Sequence, residues 1–528
     1  MYIRKRKNKS GTISVQIIQK KHGKYKVLKH IGTAKTKTEL DYLFSHAKDV
    51  KQQLNPQLSF DTIYQKSKQQ ELHQFLSRFH TPSFYKVGFF EIFGAIYDEL
   101  QISKAIPDPF YKDLVIARIA KPTSKLSTIK WLNTYHPHLQ KSLAKNSIYR
   151  FLDSLTTDKQ KALTNHIYGF VRDYLEDEIN VLFFDATTIH FEAFKEDSLR
   201  KTGYSKVGKH NQPQIVVGLM VTREGLPVGY EVFPGNTFDG HTIRAALKKV
   251  SRNYNVKRVI FVADASMLSR DNVQLLVDEG FEFIMAASIK SMNTQIKTKV
   301  LDSHNYTDNI FEIKKYGEFK YRLIVSYSQK RAKKDKFERD KKVAKLRQKL
   351  QKQKRLTKSE LGSLSPKKYM KIVGEATVSV DEDAVKKDRR WDGLKGYATN
   401  VEDLDCAEVI KKYQELWQVE KAFRVAKTDL NIRPVYHFKR KRIRAHILLV
   451  FTALTVTRFL TSKFKNQHIG IERIVENLDS VVEFPLVDAK LGVSVLVRPA
   501  ISKFNRNLYE TLGLPVKEGV YPQFKSML

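Results

Sequence analysis

The chain has 528 residues, with 94 Lys and Arg against 56 Asp and Glu, and a formal net charge of +38. This length allows roughly two to four domains with large cores. The 31 Phe, the 24 Tyr and a hydrophobic fraction of 41% exclude a largely disordered chain. The charge is therefore carried on a folded body and predicts a polyanionic partner, such as DNA, RNA or an acidic membrane surface. A solvated basic surface without a partner is the alternative.

Cysteine content and apolar runs indicate the compartment. The single cysteine, Cys406, excludes an internal disulfide framework and a CxxC zinc site, and it is typical of a reducing compartment. No apolar run follows the N-terminal charges, so the N-terminus does not resemble a signal peptide. The longest apolar stretch, 445–460, is interrupted by Arg458 and is too short to span a bilayer. We therefore expect a cytoplasmic protein with no membrane partner, associated with the nucleoid when it binds DNA.

Residues 1–60 are predicted to form a small β unit followed by a helix. Strand-like patterns cover residues 12–19 and 24–31, and a turn separates them. A helical pattern follows from about residue 37 to residue 53.

Residues 61–177 are predicted to form a helical region, which we assign to DNA binding. Within it, residues 145–154 have helical spacing. They are interpreted either as the second helix of a helix-turn-helix, with Tyr149 and Arg150 reaching DNA, or as an ordinary helix of a bundle.

The sequence changes character in residues 178–290. Residues 180–185 are an apolar run that ends in Asp185, and residues 258–264 repeat the pattern and end in Asp264. The patterns of this region predict three strands, a helix, a strand, a helix and a strand, in that order. This order indicates an α/β core with a mixed sheet and flanking helices.

An insertion is predicted over residues 291–404. Its segment 329–371 contains 18 Lys or Arg and four acids, and is interpreted as a basic helical arm or as a solvated, partly disordered linker. Residues 405–465 are predicted to return to the core with two helices, and residues 466–528 to form a C-terminal region of mixed α and β structure. Strand-like pieces within the insertion lie at 374–380 and 396–400.

The first of these two helices is predicted to run from Asp405 to about Leu430. Its apolar positions step by three and four, and Glu420 falls within the apolar stripe. A charge there breaks the binary pattern, and such breaks are often functional. The alternative is a buried ion pair between Glu420 and Arg424 or Lys427.

The acids at 185, 264 and 420 are candidate metal ligands. If the two acid-ending strands are parallel neighbours, Asp185 and Asp264 meet at one edge of the sheet, where open sheets place ligands; each alone could also be a cap or turn residue. Three carboxylates suit two Mg²⁺ ions, because Mg²⁺ prefers hard oxygen ligands. Two such ions about 3.5 to 4 Å apart can activate a water or a 3′-hydroxyl and stabilise the leaving oxygen of a phosphodiester. The sequence contains no HExxH motif or P-loop that would indicate other chemistry.

Cations are dense around Glu420, a pattern that suits a phosphate backbone held across the site. The alternative for each cation alone is a solvated side chain. They include Lys421, Arg424, Lys427, Arg433, Lys439, Arg440, Lys441, Arg442 and Arg444.

The segment 413–427 resembles the signature of the insertion-sequence DDE transposases of the YREK group. Tyr413, Glu420 and Lys427 are in register with that signature, and Leu416 stands at its Arg position. This departure leaves the acids intact but replaces a residue expected to contact phosphate or to orient the site. Other pieces that resemble the family are 24–32, 184–188, 233–239, 262–269 and 433–437.

The resemblance implies a ribonuclease H-like core in which Asp185, Asp264 and Glu420 are catalytic and bind two Mg²⁺ ions, for which Mn²⁺ can substitute. Trp391 is interpreted either as a residue that stacks on a displaced base or as a core residue. The DNA-binding residues expected near the site are Tyr413, Lys421, Arg424, Lys427, Arg433, Lys439 and Arg440.

The activity implied by the resemblance is cut-and-paste DNA transposition. The region before residue 178 would recognise the terminal inverted repeats of an insertion sequence, and the core would cleave the ends and join them to target DNA. The partner would be double-stranded DNA, bound by a homodimer. Two alternatives are a ribonuclease H-like endonuclease, which cuts without joining, and a catalytically idle DNA-binding regulator derived from a transposase.

Overall fold

The computed structural model divides the chain into two compact units, one of residues 1–82, 485–496 and 521–528 and the other of residues 83–484 and 497–520. Each unit is considered by itself. The structure describes residues 1–21, 23–54, 70, 79–80, 84–137, 139, 142–176, 179–192, 195–204, 211–253, 258–302, 310–316, 321–352, 367–373, 377–488 and 494–522.

The smaller unit begins with a three-stranded antiparallel sheet in the order β1-β2-β3, followed by a helix that packs on all three strands. Its apolar side chains Val15, Ile17 and Ile18 are buried. The two strands and the helix predicted from the sequence are confirmed, whereas β1 was missed because it is mostly basic. The bounds are β1 (Tyr2–Lys7), β2 (Ile13–Lys21), β3 (Lys24–Ala34) and α1 (Lys37–Leu54).

The larger unit opens with helices, as predicted for this region. Several begin at a side-chain cap: the side chains of Asp108, Ser124 and Thr156 each accept a hydrogen bond from a backbone N–H of the first turn. The bounds are α2 (Val87–Glu99), α3 (Pro109–Ala120), α4 (Lys125–Tyr135), α5 (Ser147–Ser154) and α6 (Thr157–Tyr174).

Helix α5 covers most of the segment interpreted as a helix-turn-helix or a bundle helix. It buries Ile148 and Leu152, and it packs against α4 and against the long helix α14 (Arg440–Lys463). This packing is that of a bundle helix, and Arg150 on its outer side is exposed.

The core of the larger unit is a mixed eight-stranded sheet in the order β10-β11-β14-β9-β8-β5-β6-β7. Strands β5, β8 and β9 are parallel, and the other neighbouring pairs are antiparallel. The predicted order of three strands, helix, strand, helix, strand is confirmed. The bounds are β5 (Val181–His190), β6 (Gln214–Thr222), β7 (Pro227–Pro234), α7 (Asp239–Asn253), β8 (Ile260–Ala263), α8 (Arg270–Asp278) and β9 (Glu282–Ala287).

The segment predicted as an insertion contributes three strands to this same sheet. Strand β14 pairs with β9, β11 with β14, and β10 with β11, so the backbone edge of β9 is covered. The bounds are β10 (Ile310–Tyr316), β11 (Tyr321–Tyr327), β14 (Leu394–Thr399) and the preceding helix α9 (Thr294–Asp302).

The basic arm is helical in its described part, since α10 (Gln329–Lys352) spans 24 residues. Residues 353–366 of the predicted arm lie outside the described residues. Val343 and Leu346 of α10 pack on Tyr369 and form a small second core. The same region contains the two-stranded sheet β12 (Met370–Val373) and β13 (Thr377–Val380) and the helix α11 (Glu382–Arg389).

Two helices replace the single helix predicted from 405 to 430. They are α12 (Cys406–Gln414) and α13 (Trp417–Thr428), with a break at residues 415–416. The turn between β6 and β7 docks at this break, where Arg223 Nη2 donates to Glu415 Oε1 (2.9 Å) and Gln418 Nε2 donates to the Arg223 carbonyl (3.0 Å).

Helix α14 is long and apolar enough to cross a membrane by length and composition, but 94% of its most apolar window is buried inside the protein. Within it, Arg458 is buried and donates to the carbonyl of Gly225 (2.9 Å). The remaining elements confirm mixed structure at the C-terminal end. They are α15 (Ile471–Leu478), β15 (Phe484–Asp488), β16 (Ser494–Arg498), α16 (Lys503–Thr511) and β17 (Gly519–Pro522). The short strand β4 (Phe79–His80) lies much earlier in the chain.

Candidate active site

The two aspartates are placed by strand pairing. Phe184 of β5 pairs with Ala263 of β8 in parallel, so the next residues, Asp185 and Asp264, stand side by side. The condition that their strands be parallel neighbours is therefore met. Asp185 is half-buried and Asp264 is exposed.

Backbone amides hold each aspartate locally. Asp264 caps a short 3₁₀ turn, 265–267, and its Oδ1 accepts from Ala265 N at 2.7 Å. Asp185 Oδ1 accepts from Ala186 N, also at 2.7 Å. An ionised carboxylate offers about four acceptor positions, so neither of these contacts uses the full acceptor capacity of its carboxylate.

Glu420 lies in the first turn of α13, and this helix packs across β5 and β6. The prediction that Glu420 sits in the apolar stripe is wrong, because the side chain is exposed. The break before Trp417 restarts the helix, so spacing counted from Tyr413 does not carry across it. Trp417 is accordingly 47% exposed rather than buried.

The alternative interpretation of Glu420 as a buried ion pair is also wrong. A buried pair requires a buried carboxylate, and the Glu420 side chain is exposed. A helical carboxylate that is exposed can change rotamer without disturbing the core.

Lys395 and Tyr413 contact each other and interact with the charges of Asp264 and Glu420. The Lys395 Nζ lies 4.1 Å from the centroid of the Tyr413 ring. Burial lowers the pKa of Lys395, while the charges of Asp264 and Glu420 act in the opposite direction. Burial raises the pKa of Tyr413, and the charges of Asp264 and Glu420 raise it further. Both side chains therefore lie within the field of both acids.

The donor chemistry of this region fits a divalent cation, because carboxylate oxygens are the ligands that Mg²⁺ and Mn²⁺ prefer. Asp185 and Asp264 are adjacent, and Glu420 is exposed. Across the part of the chain that the structure describes, no three His, Cys, Asp or Glu side chains are close enough together to hold a metal ion. Glu420 therefore has to move toward the aspartates to complete a three-carboxylate site.

The predicted DNA-binding residues on α13 have different environments. Arg424 is exposed, whereas Lys421 is half-buried and its Nζ lies 5.6 Å from the Trp417 ring centroid. Burial lowers the pKa of Lys421, and the nearby charges of Arg458 and Arg424 lower it further. The Nζ of Lys427 lies 5.4 Å from the centroid of the Phe423 ring.

The remaining predicted DNA-binding residues lie elsewhere. Tyr413 is buried beneath Lys395, with its ring edge-on to Tyr397 at 5.1 Å. Arg433 and Lys439 line a separate cleft, and Arg440 is exposed at the start of α14. Lys421, Arg424 and Lys427 thus share α13 with Glu420, whereas Arg433 and Lys439 line the cleft and Arg440 begins α14.

Lys395 was missed by the sequence analysis. It lies in β14, a strand predicted only in part, at 396–400, and not assigned to the core sheet. The feature of the sequence that could have identified Lys395 is a lysine among the apolar residues of a strand. Trp391, just before this strand, is partly buried against the hydrophobic core, which favours the interpretation as a core residue.

Comparisons with known proteins give one family and a set of solved structures. A family model described as the transposase DDE domain matches residues 176–456, more than half of the chain. No curated protein matches the chain.

Three of the solved structures that match are complexes of the Mos1 transposase. A Mos1 mariner paired-end complex with Mn is 14% identical, with a TM-score of 0.14, and the match covers 30% of this chain and 54% of that chain. A pre-cleavage Mos1 transpososome is 13% identical, with a TM-score of 0.15, and the match covers 30% of this chain and 54% of that chain. A Mos1 paired-end complex with the left transposon end is 13% identical, with a TM-score of 0.15, and the match covers 30% of this chain and 53% of that chain. The match spans about half the length of these solved chains.

The family match begins just before β5 and ends within α14, so it contains Asp185, Asp264 and Glu420 with the sheet and helix that carry them. The chain therefore belongs to the transposase DDE domain family.

Proposed function

We propose that this protein is a cut-and-paste DNA transposase of the YREK group with a ribonuclease H-like core. It would bind the terminal inverted repeats of an insertion sequence as a homodimer, cleave the ends and join them to target DNA in the cytoplasm. The observation that carries the proposal is the register of β5 and β8, which sets Asp185 beside Asp264 while α13 presents Glu420 across the same sheet.

Asp185, Asp264 and Glu420 would hold two Mg²⁺ ions, or Mn²⁺ in their place. When bound, such ions supply Lewis-acid activation of the attacking hydroxyl and stabilise charge on the leaving oxygen. The chain would contribute three carboxylates: Asp185 within β5 and Asp264 just after β8, each held by a local backbone contact, and the exposed Glu420 on α13, which would have to move toward them.

The cations around the acids would position the DNA strand. Arg424 is exposed on the same helix as Glu420, and Lys395 lies close enough to Asp264 and Glu420 to respond to both charges. A phosphate that bridges these cations would be held beside the carboxylates, where its scissile bond is oriented for attack. The high net charge of the chain supplies long-range attraction for the rest of the duplex.

Cleavage of a labelled duplex that carries the element's terminal inverted repeat tests the proposal. Wild-type protein is expected to nick or cut this duplex only when Mg²⁺ or Mn²⁺ is present. Asp264→Ala and Glu420→Ala should abolish cleavage and leave binding to the same duplex nearly unchanged. Glu476→Gln, a change at an exposed glutamate on α15, is the matched control and should cleave normally.

Two outcomes would overturn the proposal. One is wild-type cleavage that persists without a divalent metal, and the other is normal cleavage by Glu420→Ala. A separate assay with pre-cut ends and a target plasmid distinguishes a transposase from an endonuclease of similar fold, because only the transposase joins the 3′-hydroxyl to the target.

A further inference from the structure

A second concave site lies away from the three acids. It is a cleft of about 790 Å³ between α3, the start of α4, the loop 431–439 and α14. Its described lining contains no Asp or Glu and is rich in cations. The cations are Arg118, Lys125, Arg433, Lys439 and Arg442.

Two of these cations are deeply buried without a carboxylate partner. Arg118 is 5% exposed, and Lys125 is 6% exposed. Among the described residues, Arg118 makes no ion pair or side-chain hydrogen bond, and the one partner of Lys125 is His446, whose Nδ1 lies 3.2 Å from the Lys125 Nζ. Burial lowers the pKa of both groups, and the charge of Arg118 lowers that of Lys125 further.

Burial of two neighbouring cations without an acid is costly, and unpaired buried charges are rare in folded proteins. The stability of the fold alone does not explain why two cations are buried at these positions. A bound anion would supply the missing partner and would offset the cost of desolvation.

The surroundings of the two cations favour a phosphate. Helix α4 begins at the cleft, and its N-terminus is capped by Ser124, another lining residue. Arg442 is held in place by Asp153 through two hydrogen bonds of 2.8 and 2.6 Å, and its guanidinium lies 5.0 Å from the centroid of the Tyr149 ring. The cleft thus presents fixed donors before any ligand arrives.

We propose that this cleft binds the 5′-terminal phosphate of a cut DNA strand. A terminal phosphate carries a charge between about −1.5 and −2 at neutral pH, which matches two unpaired cations better than a single-charged phosphodiester does. A strand end can enter a concave cleft, whereas an internal phosphodiester would need the strand both to enter and to leave. This inference rests on the proposed function, because hydrolysis of a DNA strand leaves a 3′-hydroxyl on one side and a 5′-phosphate on the other.

The cleft is connected to the acids by one strand. The backbone N–H of Val435, between two lining residues, donates to the carbonyl of His190 at 3.3 Å. His190 ends β5, five residues beyond Asp185, and this distance along a strand is about 17 Å. The cleft would therefore hold the 5′-phosphate end away from the carboxylates after cleavage and leave the 3′-hydroxyl end there.

Binding of short single strands to the full chain tests the inference. The probes are dye-labelled 12-nucleotide strands of one sequence, with a 5′-phosphate, a 3′-phosphate or hydroxyls at both ends, in buffer with EDTA so that no cleavage occurs. Wild-type protein should bind the 5′-phosphate strand about tenfold more tightly than the other two, as expected for one charge-assisted contact set.

Lys125→Gln and Arg118→Gln should each lower the ratio of affinities, for the 5′-phosphate strand over the other two strands, from about ten to about one. Lys121→Gln is the matched control, because Lys121 is exposed four residues before Lys125 and does not line the cleft. This substitution should lower the affinity for all three strands equally and leave the affinity ratio unchanged. Thermal unfolding shows whether the variants fold, and Lys439→Gln, at an exposed lining residue, provides a test that does not disturb the core.

A wild-type preference of one would overturn the inference, as would a preference that survives in Lys125→Gln, Arg118→Gln and Lys439→Gln. Equal binding of the 5′- and 3′-phosphate strands would overturn the assignment to the 5′ end. Because these measurements contain no metal, they are independent of cleavage. Normal cleavage without a phosphate preference removes this inference alone, whereas a clear preference without cleavage removes the proposed function.

Discussion

Asp185 and Asp264 are brought together by a single register, the parallel pairing of Phe184 with Ala263. Strand β8 has only four residues, all buried, so the chain leaves the sheet at the same level at which Asp185 sits in β5. A slip of one residue would turn one carboxylate to the opposite face of the sheet, because side chains alternate along a strand. The packing that fixes Phe184 therefore also fixes the position of the aspartates.

Gly218 tests this packing. It lies in β6 opposite Ala186, and a Cβ at this position would come within 2.8 Å of the fully buried Phe184 ring. We expect Gly218→Ala to lower the free energy of unfolding by about 1–3 kcal/mol, as overpacked cores do, and to reduce cleavage through displacement of Asp185. Urea denaturation and the cleavage assay measure the two effects.

The control for this substitution is Gly169→Ala. Gly169 lies inside α6, with nothing within 4 Å of the position of its Cβ. Alanine there should raise stability by up to about 1 kcal/mol, because glycine is a poor helix former. Equal stability of Gly218→Ala and wild type would show that the Phe184 ring can move at little cost.

Lys395 provides a prediction about metal affinity, which rests on the proposed function. Its ammonium group interacts with Asp264 and Glu420, so it opposes the binding of a divalent cation there. Lys395→Gln should lower the Mg²⁺ concentration for half-maximal cleavage by about threefold, a modest value because the residue is only partly buried. Lys395→Arg should keep the wild-type value. An unchanged half-maximal concentration in Lys395→Gln would contradict this prediction, because the charge of Lys395 would then not act on the metal site.

Much of the core sheet could be predicted from the sequence, because β5 begins with, and β8 consists of, an apolar run that is followed by an aspartate, although β5 continues past Asp185 to His190. Their pairing and register could not be derived, since these depend on which strands meet in the folded chain. The same limit applies to β14, whose apolar pattern was partly visible but whose pairing with β9 was not. For this reason Lys395, close to Asp264 and Glu420, was missed.

The helix break at residues 415–416 could not be predicted for a different reason. Apolar residues step by three and four through the break, so the local pattern favours one continuous helix. The turn between β6 and β7 overrides that pattern, because Arg223 bonds to Glu415 on one side of the break and accepts from Gln418 on the other. The prediction of a buried Glu420 failed because of this tertiary contact.

His437 gives a pH dependence of stability. Burial lowers its pKa to about 3, with further contributions from Lys125 and Arg442, whereas an unfolded histidine has a pKa of about 6.5. Between these values the unfolded chain binds a proton that the folded chain does not. The contribution of neutral His437 is therefore fully present above pH 6.5 and is lost as the pH falls toward 3, by about 2 kcal/mol at pH 5.

Urea denaturation at pH 7 and pH 5 measures this effect. His437→Asn should lose less stability between the two values than wild type does, and the difference between the two proteins isolates the histidine from the titrating carboxylates. The same loss in both proteins would mean that His437 is protonated in the folded state well above pH 3.

The dependence of DNA binding on salt tests the basic surface as the track for the duplex. Each phosphate neutralised by the protein contributes about −0.9 to the slope of log K against log salt concentration. If most of the predicted DNA-binding residues contact phosphates, the slope should be about −5 or steeper.

Arg424→Gln should make this slope shallower by about 0.9, because Arg424 is exposed beside Glu420. Lys503→Gln, at an exposed residue on α16, should leave the slope close to the wild-type value. Affinity that hardly changes between about 50 and 200 mM salt would show that the charge of this chain does not serve to bind DNA.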